Sequence, residues 1–400
     1  MSASISSSQL KYLDRLADYP SSGKDYLFEI PISSHRIPKC IDEYPIEVAN
    51  FALKEFETGS QRPVMGSISD ASLLVWKWEA TADSDFVCLF ILGDDYAMVD
   101  PYWAQYYPFL KLNRLSGQLD LGFSINQIPA YSIDREVVFV GGHQTYGHWI
   151  ADNFPLALHI VQNLDKHEIP LLTFNARSWQ FDIIREMLPM ASLFNVDFAT
   201  FPAGPVRIFV KRLWIADRIN VASRYFVFHQ YLSKYRVSQA ISMHNKLRNQ
   251  LVYFQRRNST TSKGSRVANG LDISRTVEKL GGIVLDPAEL SYRDKADMFY
   301  SPASIFLNEP GSGEFNFHLF ASQDSHLVQL MPAQFLVNPT GQCLHASWRY
   351  ALPNLDKITF LPGSSESIHQ SVLNGYTDIA IYDTNELIEV ITRLQVRLGF

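Results

Sequence analysis

His148 and Asp152 lie four residues apart in the stretch Gly141-Gly-His-Gln-Thr-Tyr-Gly-His-Trp-Ile-Ala-Asp-Asn-Phe-Pro155. On a helix that spacing puts both side chains on one face. A carboxylate beside an imidazole can take a proton as general base, or can hold the histidine in one tautomer so that the imidazole takes it. The plainer alternative is a helix start whose polar residues only cap the backbone. His143, Tyr146 and Asn153 stand close by in the chain. A metal site would need further ligands, and the sequence offers no cluster to supply them.

Two other stretches carry chemistry of a different kind. Asn308-Glu-Pro-Gly-Ser-Gly-Glu-Phe-Asn316 follows an apolar run and opens a helical pattern. Gly311 and Gly313 let the backbone approach a ligand, and free N–H groups at a helix start attract phosphate. Glu309 can accept hydrogen bonds from ribose hydroxyls. Glu314 puts a negative charge in the same turn, where the helix dipole favours it. Arg256-Arg257, with Lys263 and Arg266, forms a basic loop after another apolar run. Arginine forks suit diphosphate oxygens. Singly, one is an ordinary strand-to-helix turn and the other a solvated loop. If the sheet is parallel, both loops leave the carboxyl ends of strands and can converge on one crevice.

The elements that must position these residues are legible as a pattern. Val137–Val140 reads as a buried strand ended by a glycine turn. Ile150, Phe154 and Ala157 share an inward face of the following helix, which Pro155 should bend or break. Strands are expected at Ser72–Trp78, Asp85–Leu92 and Tyr96–Asp100. A helix over Gln9–Asp18 and another over Ile46–Glu57 precede them. Alternating strands and helices then follow: Pro170–Phe174, Gln180–Leu188, Val206–Val210 and Arg212–Ile215. After a polar stretch at 222–250 the alternation restarts with strand Leu251–Phe254, helix Asp272–Leu280 and strand Ile283–Leu285. Helix Ser291–Tyr300, strands Ser304–Leu307 and Leu327–Met331, and an amphipathic helix Asn385–Leu398 complete it. A parallel sheet is the economical reading. The Gly281-Gly282 pair has the chemistry of a helix C-cap.

Composition bounds the rest. The 400 residues suit two domains, and 46% hydrophobic against 19% charged residues allows a sizeable core. A net charge of −6 argues against nucleic acid as the main partner. Cys40, Cys88 and Cys343 are widely spaced and odd in number, so a reducing compartment is expected. The N-terminal residues have neither a basic nor an apolar region of a signal peptide, and no apolar run reaches bilayer length. A cytoplasmic protein is the expectation.

The motifs also carry a resemblance. Tyr146-Gly-His-Trp-Ile-Ala-Asp-Asn-Phe-Pro155 resembles the His-Trp-x-x-Asp-x-x-Pro signature of family 61 glycosyltransferases of the capsular polysaccharide biosynthesis protein type. Tyr253-Phe-Gln-Arg-Arg257 resembles the family's strand followed by Ser-Arg-Arg. Arg266-x-x-Asn269 resembles its Arg-x-x-Asn-Glu, with Gly270 where Glu is usual. Glu309-Pro-Gly-Ser-Gly-Glu-Phe-Asn316 resembles its Gly-Ala-Gly-Leu-Thr-Asn loop, with Pro310 where a histidine is often found and Glu314-Phe315 in place of Leu-Thr. Order and spacing agree over roughly residues 137–335.

The resemblance implies an α/β, GT-B-like fold: two Rossmann-like domains facing a cleft, with a β-rich N-terminal extension. The expected divisions are a flexible N-terminus at 1–25, an acceptor domain at 26–230, a nucleotide-sugar domain at 245–385 and a helix at 386–400 packing back across the first domain. It further implies an inverting transfer from a nucleotide sugar to a hydroxyl of a glycan or lipid-linked glycan, building a surface polysaccharide. Asp152 and His148 would be catalytic. Arg256, Arg257, Arg266, Asn308, Glu309, Gly311, Ser312, Gly313 and Asn316 would hold the donor. His143, Tyr146, Trp149 and Asn153 would face the acceptor. No cofactor or metal is required beyond the nucleotide-sugar co-substrate. Lipid-linked acceptors would bring peripheral contact with the inner face of the plasma membrane. The alternatives are a polysaccharide pyruvyltransferase on a similar scaffold and a non-catalytic carbohydrate-binding relative.

Overall fold

The computed structural model describes residues 9–13, 26–29, 64–77, 86–92, 96–99, 111–113, 118–120, 125–142, 146–164, 168–198, 204–216, 249–256, 267–311, 314–322, 324–332, 356–365 and 380–400. It is a mixed α/β protein with two sheets. The chain divides into two compact units, residues 1–32 with 61–219 and residues 33–60 with 220–400. The break at 219/220 falls just ahead of the polar stretch 222–250. The helix expected at Ile46–Glu57 lies outside the described residues.

The first unit holds strands β1 (Gln9–Leu13), β2 (Tyr26–Glu29), β3 (Val64–Lys77), β4 (Phe86–Leu92), β5 (Tyr96–Val99), β6 (Lys111–Asn113) and β7 (Gln118–Asp120). It continues with β8 (Ala130–Phe139), β9 (Leu171–Phe174), β10 (Leu193–Val196) and β11 (Val206–Ala216). Their order is β10-β9-β8-β11-β3-β4-β5-β1-β7-β6, with β2 also on β3. β10, β9, β8 and β11 form a parallel block, and β1 pairs with β5 in parallel as well. From β11 through β3 and β4 to β5 every pairing is antiparallel. The unit is therefore a mixed sheet, with an antiparallel, β-rich part ahead of a parallel α/β block. The short β3–β4 and β4–β5 connections can only make antiparallel neighbours, whereas helices carry the chain from β8 to β9 and from β9 to β10. Read by itself, the parallel block has strand order 3-2-1-4, the first half of a doubly wound sheet.

Two local expectations change here. Gln9–Leu13 is a strand, not a helix, paired with β5 on one side and β7 on the other. Five residues carry too little periodicity to distinguish the two, and pairing decides. Val206–Val210 and Arg212–Ile215 are one strand, broken only by a register shift between Val210 and Arg212. The bulge lets Phe209 and Lys211 face outward before it and Leu213 face inward after it. The core of this sheet includes Ile68, Leu73, Phe90, Val137, Leu172, Ile208 and Val210.

The second unit holds β12 (Leu251–Phe254), β13 (Ile283–Leu285), β14 (Ile305–Asn308), β15 (His326–Pro332), β16 (Ile358–Ser365) and β17 (Ala380–Ile381). Their order is β13-β12-β14-β15-β16-β17, all parallel except the last pairing. Among the parallel strands this is 2-1-3-4-5, a doubly wound sheet whose direction of growth reverses between β12 and β14. One face is covered by Ile273 and Val277 of the helix Gly270–Lys279 and by Leu387, Ile391 and Leu394 of the helix Thr384–Leu398. The other face is aromatic: Phe254 stacks on Phe299 at 4.8 Å, and Phe306 meets Phe299 at 4.8 Å and Phe317 at 6.1 Å. Burial on both faces explains the continuous apolar strands Leu251–Phe254 and Ile305–Asn308.

The last helix places its apolar stripe, Leu387, Ile391 and Leu394, in this core. Asp383 caps its start by accepting from the Asn385 and Glu386 N–H groups. Arg397 near its end reaches His326 Nδ1 at 2.6 Å. The Gly281-Gly282 cap forms as expected, with Gly282 N–H donating to Val277 O and Gly281 N–H to Glu278 O.

Candidate functional site

In the first unit the glycine turn follows β8 directly. Gly141 has φ +106°, and a Cβ there would collide with the Asn153 carboxamide. A Cβ on Gly142 would collide with the Phe86 carbonyl of β4, whose N–H donates to Gly142 O at 2.9 Å. The turn thus brings the helix, β8 and β4 together at backbone distance, which any side chain would prevent. The helix begins with Tyr146–His148, passes through a π-helical turn at Trp149–Asn153 and continues as Phe154–Asn163. Pro155 is the cause. It has no N–H to donate to the carbonyl four residues back, and its ring crowds that carbonyl. The chain widens for one turn instead of breaking, and single π turns of this kind recur at functional sites. Asp152 sits in that turn and His148 ends the α-turn before it.

The expected inward face is present, since Ile150, Phe154 and Ala157 are all buried. Tyr146 packs edge-on against Trp179 at 5.2 Å. Trp149 is fully buried, stacked on Phe154 at 4.7 Å and edge-on to Trp179 at 5.3 Å. Its ring supports the helix from within the core. Among the described residues, Asn153 Oδ1 has no hydrogen-bond partner. His143 lies outside the described residues, as do the side chains of His148 and Asp152.

In the second unit the two loops singled out by sequence leave neighbouring strands at the reversal of strand order. Arg256 follows β12 and Gly311 follows β14. They meet there. Gly311 has φ +139°, and a Cβ on it would collide with the Arg256 guanidinium, lying 3.1 Å from Cζ. A guanidinium over bare backbone at the carboxyl end of a parallel sheet is a cationic spot where such sheets bind ligands. Arg257, Arg266, Ser312 and Gly313 lie outside the described residues.

Glu309 is buried and accepts the Tyr253 hydroxyl at 3.0 Å on Oε1. Asn308 is buried too, and its Nδ2 donates to Gln329 Oε1 on β15 at 3.3 Å. The Asn308 amide therefore supports the strand end, while Glu309 belongs to the turn. Asn316 is buried on the helix Glu314–Phe320. Asn269 ties the start of the helix Gly270–Lys279 to the far edge of the sheet, donating to Tyr382 O at 2.8 Å and accepting the Tyr382 N–H at 3.1 Å. Gly270 has a local cause as well, since a Cβ there would lie 2.9 Å from Gln255 Nε2.

Tyr253 and Asp286 escaped the sequence reading. Tyr253 looked like one apolar residue among four in a strand. Asp286 is the residue after β13 and buried, and its Oδ1 accepts the Ala288 N–H at 2.9 Å. A carboxylate at a strand's carboxyl end, as in Val284-Leu-Asp-Pro287, was the available signal. Nearby, burial pushes the Lys295 ammonium pKa down and Asp286 opposes that shift. Three histidines are held neutral by burial: His159 with a pKa of about 4, and His318 and His326 at about 3, with Arg397 adding to the shift at His326.

Among the described residues no group of three or more His, Cys, Asp or Glu side chains could hold a metal ion, and no helix is long and apolar enough to cross a membrane. No curated protein matches the chain. The family model described as Glycosyltransferase 61 matches residues 146–328, from the first residue of the helix after β8 to the middle of β15. That match bears out the resemblance carried by the His148–Pro155, Arg256–Arg257 and Gly311–Asn316 blocks: over residues 146–328 the chain is similar to the glycosyltransferase 61 family, which supports a glycosyltransferase acting between a sugar donor and a glycan acceptor.

Proposed function

We propose that this chain is an inverting glycosyltransferase that moves a hexosyl or pentosyl group from a nucleotide sugar to a hydroxyl of a glycan or glycolipid. The surface-polysaccharide setting, of capsular type, and a two-domain GT-B arrangement belong to the same reading. The observation that carries it is the meeting of Arg256 with Gly311 where the strand order of the second sheet reverses. The donor diphosphate lies at that point. Arg256, with Arg257 and Arg266, neutralises its oxygens, and the Gly311–Gly313 backbone admits it closely. Glu309 accepts hydrogen bonds from the ribose.

The acceptor hydroxyl attacks the anomeric carbon. A new C–O bond forms there as the bond to the diphosphate oxygen breaks, and the nucleoside diphosphate departs. Asp152, oriented by His148, takes the hydroxyl proton; His148 as base with Asp152 as orienter is the other assignment of the same pair. Preorganised cations and N–H groups stabilise the developing charge on the leaving group without an obligatory metal. Tyr146 and Asn153, with His143, face the acceptor. The reaction takes place in the cytoplasm, with transient contact at the membrane surface when the acceptor is lipid-linked.

Thermal-shift measurements with UDP, GDP, ADP and CDP test the reading. At least one raises the melting point, because a ligand that binds only the folded state stabilises it. The shift disappears in Arg256→Ala. A chain that none of the four stabilises, with or without a divalent cation, would overturn the donor site.

A further inference from the structure

The helix Ser178–Met187 follows β9 and buries Ile183, Ile184 and Met187. Trp179 stands four residues before Ile183, on the same stripe, yet it is only half-buried. Its ring lies beside the helix that follows β8, 5.2 Å from Tyr146 and 5.3 Å from Trp149, at interplanar angles of 62° and 84°. Tyr146 and Trp149 are three residues apart on one helical run, so they meet the indole from one side. Both contacts are edge-to-face. Among the described residues no ring stacks on Trp179 face to face.

The turn that carries Trp179 is held from the next strand. Asn195 Oδ1 accepts the Ala176 N–H at 2.9 Å and the Thr173 hydroxyl at 3.2 Å. Asn175, at φ +42°, donates its N–H to Val196 O at 2.9 Å and accepts the Phe198 N–H on Oδ1 at 2.6 Å. Gln180 Oε1 accepts the Arg177 N–H at 2.8 Å. The turn between β9 and its helix is thus fixed on both sides, and it sets the indole at the carboxyl ends of β8 and β9. Burial at the rim of a core asks only for an aliphatic residue. An indole held rigid and half in water offers a flat apolar surface with a polar N–H, and it loses little freedom when a ligand covers it.

We infer that Trp179 contacts the glycan acceptor and selects for its ring form. The indole stacks on the face of a pyranose ring where the C–H bonds gather, while the ring's hydroxyls project from its edge toward polar groups and water. An open-chain polyol carries the same hydroxyls but no flat C–H face, and Trp179 does not hold it. The inference rests on the glycosyltransferase reading proposed above and adds to it a residue from the connection after β9.

The full chain, labelled with fluorotryptophan and followed by fluorine NMR, tests this. The resonance missing from Trp179→Phe belongs to Trp179. The probes are the methyl β-glycosides of galactopyranose, glucopyranose and xylopyranose, each alone and with UDP, GDP, ADP or CDP present, and sorbitol is the open-chain control. At least one glycoside moves the Trp179 resonance to saturation, and sorbitol does not. Saturation transfer from the protein reaches the C–H protons of one ring face most strongly. Trp179→Ala weakens glycoside binding by about tenfold and Trp179→Phe by less, while both keep the thermal shift with nucleoside diphosphates. A Trp179 resonance that no glycoside moves overturns the inference, as does one that sorbitol moves equally, or a Trp179→Ala variant that binds glycosides as the unaltered chain does. Should Trp179→Ala fail to fold, the labelled chain and Trp179→Phe decide it. Nucleotide binding with a silent Trp179 refutes this inference alone; binding of neither nucleotides nor glycosides refutes the glycosyltransferase reading beneath it.

Discussion

The ends of β8 and of β12 invite comparison. Each strand feeds a helix-bearing connection from the place where its parallel block changes direction. What surrounds them differs. Beyond β8 the backbone is irregular and the packing aromatic: a left-handed Gly141, a π turn, and Trp149 between Phe154 and Trp179. Beyond β12 the helix is regular and the groups are polar: Arg256 over Gly311, Tyr253 on Glu309, Gln255 beside Ser274. The same topological position can thus be shaped by backbone distortion around an aromatic core, or by buried hydrogen bonds among polar side chains. Chemistry is expected to fail when the first is disturbed, and binding when the second is.

The sharpest break in that comparison is Asp152→Asn. Loss of general-base chemistry lowers the transfer rate by roughly two to four orders of magnitude, while nucleotide affinity stays within about twofold. Full transfer activity in this variant would remove Asp152 from the mechanism.

Acid should separate the units next. His318 and His326 in the second unit titrate near 3 when folded, and His159 in the first near 4, against 6.5 unfolded. For a lowered histidine the unfolded chain binds the extra proton. The stabilisation is complete above pH 6.5 and is lost as pH falls toward the folded value. At pH 5 each costs on the order of 2 kcal/mol. Hydrogen exchange followed by mass spectrometry between pH 7 and 5 should show the second unit loosening by roughly twice as much as the first. Equal loosening would contradict the assignment, among the described residues, of two buried histidines to the second unit against one in the first.

Arg256→Ala comes third, weakening nucleoside diphosphate binding by about ten- to a hundredfold with kcat less affected. An unchanged Kd would mean that the guanidinium only covers Gly311. The smallest effect is at Pro155→Ala. Restoring the missing N–H lets the π turn close into α-helix and rotates Asp152. Turnover should fall by roughly tenfold or less while the melting temperature holds or rises. A simultaneous fall in both would assign Pro155 to stability, not to aiming the turn.

Much of the second unit was legible in the chain because its strands are buried on both faces and its helices carry strong punctuation. Leu251–Phe254 and Ile305–Asn308 read as apolar runs, and Gly281-Gly282 ends its helix as the cap rule expects. The first unit was less legible. The bulge inside Val206–Ala216 looked like a gap between two strands, and Gln9–Leu13 looked helical until two partner strands claimed it. At the candidate site the sequence placed Arg256 and Gly311 after strands, yet it missed Tyr253, whose polar atom hides at the end of an otherwise apolar strand.

By itself the sequence determined what is local: which segments alternate, where helices stop, and which residue types flank each turn, since periodicity and turn chemistry act over a few neighbours. Strand order, and with it the encounter of Arg256 with a glycine 55 positions later and of Tyr253 with Glu309, was decided only in three dimensions. Pairing partners are chosen by the burial of whole sheet faces, an energy that no single stretch of chain contains.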